Sequence, residues 1–146
     1  MSRVAGLDPG RSKCGLVLVD TDAACVETGF VLPRDEVVQE LERWRQERAL
    51  ALIVIGNGTG SRGWFERLEP LASVKTVDEQ GTTLRARQRY WQLWPAQGWQ
   101  RLLPEGLRMP PDDLDAVAAL VMVEDHLHLS CRWPGEPPRF KSGPEP

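Results

Sequence analysis

The sequence has no long hydrophobic run and no pattern that would direct the chain out of the cytoplasm. No apolar stretch in its 146 residues approaches the roughly 18 residues that a membrane-spanning helix needs, so no membrane role is expected. The N-terminus has no apolar segment followed by a small-residue cleavage site, and the expected location is therefore the cytoplasm. The length favours a single domain with one good core.

Cysteine is scarce, and its spacing excludes two common uses. The three cysteines, Cys14, Cys25 and Cys131, are an odd number and form no closely spaced pair. This pattern argues against a disulfide framework and against a structural zinc site. We expect all three to be small buried hydrophobic side chains, as free cysteines usually are.

Lysine is also scarce, and arginine carries 15 of the 18 basic charges. Although the net charge is -3, the segment 80–108 contains five arginines against one acid, Glu105, with four aromatic residues among them. Guanidinium groups suit phosphates and aromatic faces suit unstacked bases, so Arg85, Arg89 and Arg101 are predicted to bind nucleic acid. The same pattern also fits an amphipathic helix with a solvated arginine face and tryptophans in the core.

The first third of the chain predicts an antiparallel sheet. Residues 4–7, 14–20 and 25–32 are apolar or alternating segments separated by short turns. A parallel crossover needs a dozen or more residues, so these three strands are expected to form a meander.

Helices and strands alternate through the rest of the chain, as hydrophobic spacing and capping residues indicate. The predicted order is a helix capped by Asp35, a buried strand at 49–55, a short helix at 63–71, a strand at 73–77, a helix capped by Thr82 or Thr83, and a last helix capped by Asp112 or Asp113. This order predicts an α/β fold of the ribonuclease H-like type, a five-stranded mixed sheet with helices on both faces. We expect that domain to span 1–132 and the proline-rich segment 133–146 to be a disordered tail.

Acidic residues occur where several of these elements begin or end. Asp8 follows the first strand, Asp78 and Glu79 follow the fifth, and Asp112 and Asp115 share one face at the start of the last helix. In a sheet whose first strand is central, these positions lie at the edge where open α/β sheets bind ligands. The acids are therefore expected to gather there.

Gathered carboxylates repel one another unless a cation neutralises them, and hard ions such as Mg²⁺ or Mn²⁺ prefer oxygen ligands. A pair of such ions activates water and stabilises the leaving oxygen in phosphodiester hydrolysis. The turn after Asp8 carries Arg11 and Lys13, which suit the phosphates of a nucleic acid. The sequence thus predicts a metal-dependent nuclease.

Three motifs resemble one known family. GLDPGRSKCGLVLVD is similar to the first-strand motif of the YqgF family, the RuvX or RuvC-like resolvases of ribonuclease H-like fold; VDEQGTT resembles its Asp-Glu strand end, and LDAVAALVMVEDHL its last helix. The resemblance covers residues 3–129 and implies Asp8, Glu79 and Asp115 as metal-binding catalytic acids, with Asp112 as a fourth candidate. It also implies structured RNA or DNA as the partner, through ribosomal RNA precursor processing or Holliday junction resolution; resolution would require a homodimer.

Two departures from the family keep other functions open. Gln80 stands where the family has a basic residue, and IGNGTGSR, with Asn57, is closer to the non-cleaving YqgF-like domain of the transcription accessory protein Tex. The first alternative is therefore a binding domain without cleavage. A second is an actin-like ATPase with a phosphate loop at Asp8, although 146 residues are too few for the two domains that such enzymes close over a nucleotide.

Overall fold

A computed structural model of the protein describes residues 2–58, 63–108 and 114–141, and its centre is one five-stranded sheet. The strands are β1 (Arg3–Pro9), β2 (Lys13–Asp20), β3 (Cys25–Pro33), β4 (Leu52–Gly56) and β5 (Ser73–Val77). They lie in the order β3-β2-β1-β4-β5, with β1 antiparallel to β2, β2 antiparallel to β3, and β4 parallel to both β1 and β5. The predicted mixed sheet with a central first strand is confirmed.

In the described ranges, four α-helices accompany the sheet: α1 (Val37–Glu47), α2 (Trp64–Leu68), α3 (Thr82–Leu93) and α4 (Asp115–Leu127). Some predicted N-cap residues were wrong, because other residues occupy the N-cap positions of these helices. Asp35 lies inside a 3-10 turn with Glu36 at the N-cap position of α1, and Gly81 precedes α3. Leu114 occupies the N-cap position of α4, and Asp112 and Asp113 lie outside the described residues.

The helices lie on both faces of the sheet because the central strands are apolar on both sides. Ala5 and Leu7 of β1 belong to the core shared with α1 and α2, whereas Val4 faces the core shared with α4. Helix α4 packs on the sheet and α3 packs on α4. Buried between these layers, α4 is apolar on nearly every side, and its residues 116–124 are all buried.

The described part of the proline-rich segment is not a free tail. The backbone N–H of Val31 donates to the carbonyl oxygen of Arg139 at 3.0 Å, and the Lys141 N–H donates to the Val31 carbonyl oxygen at 2.6 Å. Trp133 packs against Trp94 with ring centroids 5.3 Å apart. Strand β3 is an edge strand whose unpaired backbone groups favour such a cover. Residues 142–146, the rest of the predicted tail, lie outside the described residues.

Two cysteines, Cys14 and Cys131, are buried as expected, whereas Cys25 is half-buried. Burial raises the pKa of the Cys131 thiol to about 11, and the nearby charge of Glu124 adds to the effect. Among the helices that the structure describes, none has the length and hydrophobicity to cross a membrane.

Candidate active site at the end of the central strands

Asp8 lies near the end of β1, on the face of the sheet that α4 covers. Side chains alternate along a strand, and Gly6, two residues earlier, faces Ala119 and Val123 of α4. Asp8 pairs with Gly15 of β2. On the other side, Leu7 pairs with Ile55 of β4, so the next residue, Asp8, lies beside Gly56. The half-buried Asp8 side chain therefore emerges between two positions that carry no side chain.

Asp115 lies directly over the first of these glycines. A Cβ atom on Gly15 would be 2.0 Å from the Asp115 carbonyl oxygen and 2.6 Å from the Ala116 nitrogen. The first turn of α4 therefore rests on the backbone of β2 opposite Asp8. A strand interior uses glycine where another backbone approaches this closely, and that is the sequence signal for this contact.

The charges of Asp8 and Asp115 both act on the thiol of Cys14, the residue next to Gly15. Burial raises the pKa of Cys14 most; the backbone of Gly10 and the cation of Arg34 lower it, and the two carboxylates raise it further. The charges that act on Cys14 therefore include two carboxylates and one guanidinium group near the end of β1.

Glu79 occupies the space above the second glycine. A Cβ atom on Gly56 would lie 2.3 Å from Glu79 Oε2, and one on Gly58 would lie 1.3 Å from Oε1. The Glu79 backbone N–H donates to Asn57 Oδ1 at 3.3 Å, so the loop after β4 holds the residue in place. Its Oε2 atom is buried and has no hydrogen-bond partner among the described residues.

The neighbouring acid Asp78 has a local role instead. It is exposed, and its Oδ1 accepts the backbone N–H of Gln80 at 2.9 Å, which closes the turn before α3. This Asx-type contact explains why an acid stands there without a ligand to hold.

The fold thus brings Asp8, Glu79 and Asp115 to one edge of the sheet from three separate parts of the chain. Within the described ranges, no three His, Cys, Asp or Glu side chains stand close enough to hold a metal ion. The residues nevertheless fit a hard cation, because their oxygens are the preferred ligands and Glu79 keeps one buried oxygen without a partner. Asp112, the fourth predicted acid, lies outside the described residues.

Arg11 is exposed in the turn that follows β1, and Lys13 is exposed at the first position of β2, at the same edge as Asp8. They are the predicted nucleic-acid contacts that the structure places beside the carboxylates. Arg101 is also exposed, in the 3-10 turn Gly98–Leu102, where its Nε donates to the Gly98 carbonyl oxygen at 3.3 Å.

The two predicted nucleic-acid contacts on α3 form ion pairs with α4, one buried and one at the surface. Arg89 contacts Glu124 at 2.8 Å and donates to the Cys131 carbonyl oxygen at 2.7 Å, and both ion-pair partners are largely buried. Arg85 pairs with the exposed Asp125 one turn away. Hydrogen bonding to the carboxylate raises the pKa of each arginine. These contacts join α3 to α4, as the amphipathic interpretation of this segment would require.

The aromatic residues of the same segment divide between core and surface. Tyr90 and Trp91 are buried against α4, whereas Trp99 is 71% exposed. Hydrophobic spacing along α3 correctly placed its aromatic side chains inside.

Comparison with solved structures gives the class of this fold. RuvC of T. thermophilus in complex with a Holliday junction substrate superposes with a TM-score of 0.56 at 16% identity, over 86% of this chain and 92% of that one. Thermus thermophilus RuvC alone gives 0.52 at 14% identity, over 86% and 93%. The fold is therefore that of the RuvC-like, ribonuclease H-like proteins.

No family profile and no curated protein matches the sequence. The YqgF/RuvX membership and the likeness to Tex therefore stay predictions from the motifs.

Proposed function

We propose that the protein is a divalent-metal-dependent nuclease that acts on structured nucleic acid. The observation that carries the proposal is the convergence of Asp8, Glu79 and Asp115 on one edge of a RuvC-like sheet, where Glu79 Oε2 is buried without a partner. A buried carboxylate oxygen without a partner, as in Glu79, is stabilised by a cation, and a nucleic acid supplies phosphates that the same cation would bind.

Each residue has a distinct part in this proposal. Asp8, Glu79 and Asp115 would hold Mg²⁺ or Mn²⁺, which when bound provides a Lewis acid and an activated water for phosphodiester hydrolysis. The loop at Asn57 fixes the backbone of Glu79. Arg11 and Lys13, exposed beside the carboxylates, would attract the phosphate backbone and offset the negative net charge of the protein locally.

A four-way DNA junction is the first substrate to test, because RuvC of T. thermophilus is solved with that ligand. Precursor of small-subunit ribosomal RNA is the second, since the motifs resemble those of the YqgF family. A junction has two equivalent strands to cut, so activity on it would call for a homodimer.

The test is cleavage by the purified protein of a synthetic junction, a linear duplex of the same sequence and a ribosomal RNA precursor, each with Mg²⁺, Mn²⁺ or EDTA. We expect cleavage of at least one structured substrate with metal and none with EDTA. Protein carrying Asp8→Asn, purified in the same way, detects a contaminating nuclease. Equal cleavage by both proteins, or none by either, would contradict the proposal.

A nucleic-acid-binding domain without cleavage is the second candidate. It is favoured by Asn57, whose side chain accepts a hydrogen bond from Glu79, and by Gln80 in place of a basic residue. In that case the protein would bind the junction or the RNA with the same affinity with and without Mg²⁺, and no substrate would be cut.

Replacing Gly15 with alanine should disable the site without removing a carboxylate. The new methyl group would meet the backbone of Asp115 and Ala116, which cannot rotate aside, so the first turn of α4 must move off the sheet. A displacement of about 1 Å at a catalytic group can cost about 100-fold in rate. We expect a loss of that order in metal-dependent cleavage and a lower melting temperature, since overpacking costs about 1–3 kcal/mol.

Gly106→Ala is the matched control, because nothing lies within 4 Å of a Cβ atom at that position. It should leave both rate and melting temperature unchanged. If Gly15→Ala behaves like this control, α4 does not rest on β2 as the structure has it.

A further inference from the structure

An arginine outside the predicted site lies against the turn that follows Asp8. Arg34 comes directly after β3, and its backbone N–H donates to the Ser12 carbonyl oxygen at 2.9 Å. Its guanidinium Nη1 donates to the carbonyl oxygen of Gly10 at 3.0 Å. The Arg34 cation is therefore fixed two residues beyond Asp8, at the same end of the sheet as the candidate active site.

A second arginine shares an aromatic ring with the first. The guanidinium carbon of Arg34 lies 5.0 Å from the centroid of the Trp64 ring, and that of Arg67 lies 4.6 Å from it. The two cations are thus no farther apart than the sum of these distances, which is comparable to the Debye length of about 8 Å at physiological salt. Two cations against one ring add to the positive potential that an anion would meet there.

Arg67 contacts the Trp64 ring and forms no ion pair among the residues that the structure describes. It is exposed on α2, and the residues three and four positions away are Gly63, Trp64, Pro70 and Leu71, none of them acidic. Trp64 is completely buried, so its ring is a fixed platform. An arginine stacked on an aromatic face is preorganised and loses less side-chain freedom when it binds a phosphate.

We propose that Arg34 and Arg67, which both pack against the Trp64 ring, form a phosphate-binding pair. This pair would hold the backbone of the bound nucleic acid beside the carboxylates. The proposal rests on the proposed function and extends the contact surface from Arg11 and Lys13 to the side of the sheet that α2 covers. Planar guanidinium forks match phosphate oxygens, and such contacts position the nucleic acid without reading its sequence.

The test measures binding of a synthetic four-way DNA junction in EDTA at a series of salt concentrations. We expect Arg67→Ala to weaken binding several-fold at low salt and to reduce the slope of log K against log salt by about one unit, as loss of one duplex phosphate contact does. Arg34→Ala should do the same. Arg45→Ala is the matched control: it removes another exposed charge, from α1, and its slope should equal that of the wild type.

Arg34→Lys separates binding from folding, because it keeps the charge but loses the planar fork. We expect it to retain the wild-type slope and to bind more weakly. If Arg67→Ala and Arg34→Ala keep the slope of the Arg45→Ala control, the pair only covers Trp64, and the proposal is wrong.

The readout does not depend on cleavage, so the two proposals can fail separately. Slopes reduced by the arginine variants in a protein that cuts nothing would support the phosphate pair and contradict the nuclease. Cleavage lost in Asp8→Asn, with junction binding unaffected by Arg34→Ala and Arg67→Ala, would support the nuclease and contradict the pair.

Discussion

Replacing any one of Asp8, Glu79 and Asp115 by its amide should lower metal-dependent cleavage at least about 100-fold, because each change removes one anionic ligand while keeping the side-chain shape. Binding of the nucleic acid should survive or become tighter, since one charge that repels phosphate is lost. The measurements are single-turnover cleavage with Mg²⁺ and binding of the same junction in EDTA.

Asp78→Asn is the matched control for these variants. Asp78 is adjacent to Glu79 but accepts a hydrogen bond from the Gln80 backbone, and an asparagine oxygen can accept the same bond. Cleavage by Asp78→Asn should stay close to that of the wild type. Equal losses in Asp78→Asn and Glu79→Gln would mean that charge near the edge matters in general and that no specific ligand set exists.

The folding of the Asp8→Asn variant tells whether Asp8 is there for a ligand. Asp8 pairs with Gly15, over which Asp115 lies, so Asp8→Asn removes one of two neighbouring negative charges and relieves their repulsion. The melting temperature in EDTA should therefore stay the same or rise. A clear fall would show that Asp8 serves a structural partner instead.

The largest loss of stability is expected from Arg89→Ala. The change leaves Glu124 buried with one partner fewer, and the Cys131 carbonyl oxygen loses a donor. Removing one member of a buried ion pair costs about 3–5 kcal/mol, and because Arg89 keeps some solvent contact we expect about 3 kcal/mol. Chemical denaturation gives this free energy of unfolding directly.

Arg85→Ala provides the comparison, since Arg85 lies on the same helix and pairs with Asp125 at the surface. An exposed ion pair contributes at most about 1 kcal/mol, so this variant should unfold almost like the wild type. Equal stability losses in the two variants would contradict the difference in burial. A reduced salt slope of junction binding for Arg85→Ala would show that this arginine can leave Asp125 for a phosphate.

Hydrophobic patterning was sufficient for the regular elements. The fifth strand was predicted with the same ends as the observed Ser73–Val77, and the meander of β1 to β3 was found with slightly longer strands. The caps were less predictable: Asp35 and Thr82 are good capping residues, but Glu36 and Gly81 hold the N-cap positions. Propensity describes one residue, whereas the start of a helix also depends on how the preceding strand ends.

The sequence by itself predicted the strand directions, because short connections give antiparallel neighbours and long helical ones parallel neighbours. It also predicted that Asp8 and Glu79, near the ends of β1 and β5, lie at one edge of the sheet. Only the tertiary structure decided which arginines face inward: Arg85 and Arg89 look alike in sequence, yet one meets Asp125 at the surface and the other Glu124 in the interior. Such choices depend on atoms from distant segments, and periodicity within one helix carries no information about them.

The same reason applies to the glycines beneath the carboxylates and to the paired arginines on Trp64. Gly15 and Asp115 are a hundred positions apart in the sequence, and their contact exists only because α4 crosses the end of β2. Arg34 and Arg67 come from different elements and meet only at the Trp64 ring. Sequence motifs indicate which residues a reaction would need, whereas packing between distant segments determines which residues surround them.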